Sequence, residues 1–199
     1  MAREDDVLLG FSTLVAKLAQ EEGVRQYPLF VDYGQRSRER ELTACRRAMR
    51  DLSLPEPEIA DVSGFGKLIH SGLTDPKLHI LQDAFTPGRN MLFLLIAAAY
   101  AYQVNADAVS IGLLNESSSL FPDQTAAFLQ DAESMINRCM GKNIRVLAPL
   151  ADFQKIDVVT LAKQKGIQNT YSCHMGGVEP CGACIACNEY KFEEVNDGR

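Results

Sequence analysis

Short apolar runs alternate with longer segments of helical periodicity along most of the chain. The runs have the length of buried strands, and the longer segments repeat apolar positions every three or four residues. Predicted strands lie at 6–11, 27–33, 58–62, 108–112 and 144–147. Predicted helices lie at 13–22, 37–52, 90–104, 125–140 and 155–165. This alternation predicts an α/β fold, with an open parallel sheet and helices on both of its faces.

The loops of such a fold are the first place to look for function, because ligands bind at the carboxyl ends of parallel strands. The loops after Phe11, Tyr33 and Gly112 are therefore candidates. The polar stretch 63–88, with its scattered Pro and Gly, is predicted to be a functional loop. The helix at 90–104 is apolar nearly all round, so we expect it to be buried.

Composition and charge exclude several classes of protein. The chain has 199 residues, of which 46% are hydrophobic and 23% charged, as in ordinary globular proteins. We expect one α/β domain over 1–170 and a small C-terminal appendix over 171–199. The net charge of −6 disfavours direct nucleic-acid binding. The apolar run 91–101 is shorter than the about 20 residues that span a membrane, and the N-terminus is acidic, so we expect a cytoplasmic protein.

Four of the six cysteines follow the pattern C-x7-C-x2-C-x2-C near the C-terminus. Four thiolates at this spacing form a tetrahedral sulfur set that suits Zn²⁺ and leaves no open position, which predicts a structural zinc. An iron–sulfur cluster is the competing interpretation, but its usual cysteine spacings differ. Cys45 and Cys139 are interpreted as ordinary thiols on helices. The predicted ligands are Cys173, Cys181, Cys184 and Cys187.

Further motifs occur in a recognisable order. They are Asp-Tyr-Gly-Gln-Arg at 32–36, Phe-Thr-Pro-Gly-Arg-Asn at 85–90, Phe-Pro-Asp at 121–123, Ser-Cys at 172–173 and then the other cysteines. Together they resemble the 7-cyano-7-deazaguanine synthase family over nearly the whole chain. Each motif apart from the cysteines is weak alone, and the five in order are a strong signal.

The resemblance implies an adenine-nucleotide α-hydrolase-like fold with a pyrophosphatase loop, a structural zinc and a homodimer. It also implies a reaction. Members of this family use ATP, with Mg²⁺, to adenylate 7-carboxy-7-deazaguanine. They then capture ammonia to form an amide, and activate and dehydrate that amide to the nitrile.

The resemblance further implies roles for individual residues, each with a plainer alternative. Lys155 would act catalytically on the ATP phosphates, although a single lysine is more often a surface residue. Ser12 and Asn90 could equally be helix caps, and Gln35 could lie in the first turn of a charged helix. The implied ATP-binding residues are Phe11, Ser12, Thr13, Arg89 and Asn90. The implied residues for binding the deazapurine substrate are Gln35, Arg36, Phe121 and Asp123.

One departure from the family concerns the phosphate loop. The family reads S-G-G-x-D-S, whereas here Phe11 is followed directly by Ser12. The five residues are missing from this sequence although present in the natural polypeptide, removed by design, or absent from the natural protein. The first explanation is favoured, because a strand that ends at Phe11 runs into its helix without a connector. In the last case the chain would be a catalytically degenerate relative, a zinc-stapled binding or assembly module.

A second departure concerns the substrate. Gln124 follows Asp123 where the family often has Cys, and the stretch before Phe121 lacks the usual Asp-Tyr. The exact deazapurine therefore stays open.

Overall fold

The computed structural model describes residues 5–9, 13–168 and 170–189. Its sheet has the strand order β3-β2-β1-β4-β5, and the pairs β1–β2, β1–β4 and β4–β5 are parallel. The strands are β1 (Asp5–Leu9), β2 (Arg25–Asp32), β3 (Glu58–Asp61), β4 (Ala108–Ser110) and β5 (Arg145–Leu147). β4 is buried along its length and β2 from Pro28 onward, as is typical of apolar parallel strands that are packed on both sides.

The helices overlap every helix that the periodicity predicts. They are α1 (Thr13–Glu21), α2 (Arg38–Asp51), α3 (Gly64–Leu68), α4 (Arg89–Val104), α5 (Ala126–Met140) and α6 (Lys155–Gln164). Short 3-10 turns lie at Glu116–Ser118 and Pro122–Gln124. The five-residue α3 lies inside the stretch 63–88, where only a loop was expected. None of the helices within the described ranges is both long enough and apolar enough to cross a membrane.

Helix α4 is buried on one side only, which corrects the expectation of a helix buried all round. Leu94, Ala97 and Ala101 are fully buried, whereas Leu95 is 40% exposed and Tyr102 54% exposed. The buried positions recur every three or four residues and form the face that packs against β1 and β4. The Ala residues of this face let the helix approach the sheet closely.

The chain divides into two compact units. The first contains residues 1–31, 45–60 and 88–168, and thus most of the sheet. The second contains residues 32–44, 61–87 and 169–199. The sequence suggested a separate part over 171–199 alone, but in the structure this segment shares its unit with two earlier loops. The reason is that its buried cysteines pack against Leu73 and Ile80.

The strand order creates a switch point between β1 and β4. From β1 the chain passes to β2 and β3 on one side, and it then returns to form β4 and β5 on the other side. The loops that leave β1 and β4 therefore diverge at the carboxyl edge of the sheet, which is where ligands bind in folds of this type.

The packing of α5 can be tested with two neighbouring residues. Ile136 is fully buried and Met135 is 52% exposed. Replacing Ile136 by Ala leaves a cavity and should lower the free energy of unfolding by about 2–5 kcal/mol, whereas Met135→Ala should change it little. Urea unfolding of both variants measures this difference, and equal midpoints would contradict the packing described here.

Candidate functional site

The connection from β1 to α1 is the place where a phosphate loop would lie. The predicted Phe11 and Ser12 lie outside the described residues, and Thr13 is the first residue of α1. β1 ends at Leu9, two residues before the predicted end. Three residues therefore separate strand from helix, within the two to six that such connections normally have. The expected shortage of connector is wrong, and connection length alone does not require further residues.

Asn90 joins α4 to the loop that follows β4. Its side chain is 3% exposed, and its Nδ2 donates a hydrogen bond of 2.8 Å to the backbone carbonyl of Asp123. Two of the predicted site residues thus meet at the carboxyl edge of the sheet. Arg89 precedes Asn90, and its guanidinium lies 5.8 Å from the centre of the Phe93 ring, in a cation–π contact along the helix.

Gln124 organises the segment that carries Phe121. The Gln124 Oε1 accepts hydrogen bonds from the backbone N–H groups of Leu120 at 2.8 Å and Phe121 at 2.9 Å. Phe121 and Asp123 are both half-buried. Sequence reasoning treated Gln124 only as a departure from the family. The signal it missed is the spacing, since a Gln three residues after a loop residue can cap the turn between them.

Lys155 is the first residue of α6 and is half-buried. The helix start is fixed by Asp157, whose carboxylate accepts the backbone N–H of Gln154 at 2.9 Å. Just before the helix, the carbonyl of Phe153 accepts the N–H of Asn115 at 2.9 Å, which ties this end of α6 to the loop after β4. The predicted residues Thr13, Asn90, Asp123 and Lys155 therefore all belong to the carboxyl edge of the sheet in the first unit.

Gln35, in the second unit, is occupied within its own loop. It is 5% exposed. Its Oε1 accepts the backbone N–H of Tyr33 at 2.9 Å, and its Nε2 donates to Glu41 at 3.1 Å. Glu41 also accepts the hydroxyl of Ser37 at 2.7 Å. In this structure Gln35 therefore shapes the loop after β2.

Arg36 links the same loop to the segment around Gly72. Its guanidinium donates to the carbonyl of Gly72 at 3.1 Å, and its backbone N–H donates to the carbonyl of Leu73 at 2.9 Å. Sequence reasoning did not identify this bracing role, because the partners lie far along the chain.

The four cysteines near the C-terminus form one cluster, called here the cysteine group (Cys173, Cys181, Cys184 and Cys187). Their sulfur atoms all lie within 4.8 Å of one another, and those of Cys181 and Cys187 are 3.9 Å apart. Four sulfurs at about 2.3 Å from a tetrahedral metal are separated by about 3.8 Å. The group could therefore hold a metal ion after only small movements.

Backbone N–H groups point at the sulfur atoms of this group. The Cys173 sulfur accepts the N–H of Cys181 at 3.3 Å, and the Cys184 sulfur accepts the N–H of Cys187 at 3.4 Å. The Cys181 sulfur accepts two, from Ala183 at 3.5 Å and Cys184 at 3.4 Å. Such hydrogen bonds stabilise negative charge on sulfur, which is the form that binds metals.

The thiols respond differently to this environment. Burial raises the pKa of Cys181, but hydrogen bonds from the Ala183 and Cys184 N–H groups outweigh it and bring the pKa down to about 7. Burial dominates elsewhere, and it raises the pKa of Cys184 and raises that of Cys187 to about 12. A metal that binds here must displace the protons of the last two thiols, so its affinity falls as the pH falls.

The cysteine group also braces the loop after β2. Gly176 follows Cys173 closely in the chain and has a φ of +75°. A Cβ at this position would lie 2.6 Å from the backbone oxygen of Arg36. Only glycine allows the two backbones to approach so closely.

These features define an α/β protein with a parallel sheet, a ligand-type switch point and a four-cysteine group that could hold a metal. The sequence model of the family described as Queuosine biosynthesis protein QueC matches residues 10–193. The chain belongs to this family, and the resemblance drawn from its motifs is confirmed.

Curated relatives agree with the family match. A protein of Sulfurovum sp. (strain NBC37-1) is 34% identical over 190 residues, which cover 88% of this chain and 85% of the relative. Proteins of Nautilia profundicola and of Campylobacter jejuni subsp. doylei are 34% and 33% identical, with the same coverage of both chains. All three relatives are described as 7-cyano-7-deazaguanine synthases.

The close approach at Gly176 can be tested against a matched glycine. Gly166 has a similar φ of +71° but nothing within 4 Å of a built Cβ. Gly166→Ala should cost only the strain of a left-handed alanine, about 1–2 kcal/mol. Gly176→Ala should in addition push the loop away and raise hydrogen exchange at 33–38. Exchange mass spectrometry measures this effect, and unchanged exchange in Gly176→Ala would refute the bracing.

Proposed function

We propose that the protein is an ATP-dependent 7-cyano-7-deazaguanine synthase. The observation that carries this proposal is the extent of the match. The QueC family model spans residues 10–193, and relatives with this activity in their names align over 88% of the chain. The sheet order supports the proposal, because it has the switch point at which folds of this type bind nucleotides.

The proposed reaction has two activations. A carboxylate oxygen of 7-carboxy-7-deazaguanine attacks the α-phosphorus of ATP, and pyrophosphate leaves. Ammonia then attacks the acyl carbon, loses a proton and displaces AMP, which gives the amide. The amide oxygen attacks a second ATP, again with loss of pyrophosphate. Departure of AMP and of the remaining nitrogen-bound protons leaves the nitrile.

The carboxyl edge of the first unit offers groups for the nucleotide part of this reaction. The ammonium group of Lys155 would neutralise phosphate charge as pyrophosphate departs. The backbone N–H groups at the start of α1, beginning with Thr13, would bind phosphate oxygens. Asn90 holds the loop of Phe121 and Asp123 against α4 through its bond to the Asp123 carbonyl, and so would place these residues for the substrate. Mg²⁺ would accompany ATP.

A second candidate function rests on the phosphate loop. The S-G-G-x-D segment of the family is absent between Phe11 and Ser12. The Sulfurovum alignment runs over 190 positions but includes only 88% of the 199 residues, so the relative has residues at positions where this chain has none. Without the glycine-rich segment a nest of N–H groups for phosphate is lost. The chain would then be a degenerate relative that serves as a metal-stapled binding or assembly module.

We further propose that the cysteine group holds a structural zinc ion. The sulfur spacing matches a tetrahedral site, and four thiolates leave no position open for a substrate. The metal would therefore stabilise the second unit and take no part in the reaction.

The zinc proposal predicts different behaviour for two cysteines. Cys184 is fully buried within the group, whereas Cys139 is exposed on α5. The purified chain should contain one zinc ion, and Cys184→Ser should lose it together with several kcal/mol of stability (on the order of 3–5). Cys139→Ser should keep both. Elemental analysis and thermal unfolding check this, and iron in place of zinc would refute it.

The catalytic proposal is tested by restoring the loop. A variant with Ser-Gly-Gly-Leu-Asp inserted between Phe11 and Ser12 should form the nitrile with release of AMP and pyrophosphate, followed by mass spectrometry. In that variant Lys155→Ala should reduce turnover about 100-fold or more, because it removes a charge that stabilises the transition state. Lys163→Ala, on the exposed side of the same helix, is the matched control.

The outcomes separate the two candidate functions. Nitrile formation by the chain without the insertion would show that it is an enzyme as it stands. Activity only after insertion would assign the unmodified chain to the degenerate class. No activity in either form would overturn the catalytic proposal.

A further inference from the structure

A cleft of about 390 Å³ lies within the second unit, beside the backbone that leaves β2 and β3. None of the site residues implied by the family resemblance lines it. The residues that matter for its chemistry are Gly34, Gly66, Lys67, His70, Thr74 and Asp75. Most of its wall is apolar, so the few polar groups determine which ligand it can accept.

Two glycines keep side chains out of the cleft. A Cβ at Gly66 would lie 2.4 Å from the backbone oxygen of Tyr33. Gly34 has a φ of +86°, and its Cβ would lie 2.9 Å from the backbone oxygen of Ser63. Neither position tolerates a larger residue, so this part of the wall consists of bare peptide groups. Such groups present a surface on which a planar ring can lie flat.

Asp75 is held in one orientation by its neighbours. One carboxylate oxygen accepts the backbone N–H of Lys77 at 2.9 Å, and the other lies 3.1 Å from Nδ1 of His70. The N–H of Lys77 lowers the pKa of Asp75, which therefore stays ionised at neutral pH. Each oxygen retains a second lone pair with which to accept a hydrogen bond from a ligand.

The same wall supplies one cation. Lys67, in the last turn of α3, is exposed and lines the cleft. The cleft therefore combines one positive group, one fixed carboxylate and a bare peptide surface. A polyphosphate fits poorly, because it would bring several negative charges close to Asp75. A planar ring with one acidic substituent and several N–H donors fits all three features.

We propose that this cleft binds the purine-like carboxylic acid substrate, with its ring on Gly34 and Gly66, its carboxylate on Lys67 and its ring N–H donors on Asp75. This inference rests on the proposed function, which names 7-carboxy-7-deazaguanine as the substrate. It also gives Gln35 and Arg36 a positioning role, because their side chains already hold the loop that carries Gly34.

Calorimetric titration of the full chain with two probes tests the proposal. The probes are 7-carboxy-7-deazaguanine and 7-deazaguanine, which lacks the carboxylate. Lys67→Gln should weaken binding of the acid about tenfold and leave binding of the neutral base unchanged, because only the acid uses the cation. Asp75→Asn should weaken both probes. Lys77→Gln lies on the same loop but does not line the cleft, so it should change neither.

Several results would overturn the assignment. They are failure of the unaltered chain to bind the acid, unchanged affinity for the acid in Lys67→Gln, or equal losses for both probes in that variant. Turnover measured on the same samples, with the phosphate loop restored, keeps the two proposals apart. Binding that follows the expected pattern without turnover would reject the proposed function and keep the cleft. Turnover with an unchanged KM in Lys67→Gln would do the reverse.

Discussion

The second unit depends on holding four sulfur atoms together. Apart from the short helix α3 and the first turns of α2, its described residues form little regular structure. Its buried apolar cluster consists of the cysteine group with Ala186, Leu73 and Ile80. So small a cluster buries little surface, and small units of this kind usually need a metal or another cross-link to be stable. The cleft and the loop after β2 inherit their order from this point.

The sheet and its helices could be predicted because their signals are local. An apolar run of strand length or a helical repeat depends on neighbours a few residues away, so the alternation along the chain was sufficient. The cysteine group was equally accessible, since three of its members fall within seven residues, 181–187. The family motifs added residue roles, and the carboxyl edge of the first unit contains Thr13, Asn90, Asp123 and Lys155 as they imply.

The remaining features involve contacts between distant parts of the chain. Nothing near Arg36 shows that its guanidinium holds the carbonyl of Gly72, 36 residues away. The end of β1 was misplaced by two residues because Gly10 and Phe11 continue an apolar run, and pattern alone does not mark where pairing with β2 stops. The cleft was invisible for a related reason. Its glycines look like ordinary loop residues until the opposing carbonyl oxygens are in place.

The second unit is assembled from three separate stretches of chain, and this affects how damage would spread. A cut in the backbone near residue 168 would remove the segment that contains all four cysteines. The stretches 32–44 and 61–87 would remain covalently attached to the first unit, but they would lose the partner against which Leu73 and Ile80 pack. Such exposed, unsupported segments are preferred sites for further cleavage. A single break in the last fifth of the chain would thus mark residues more than eighty positions upstream for degradation.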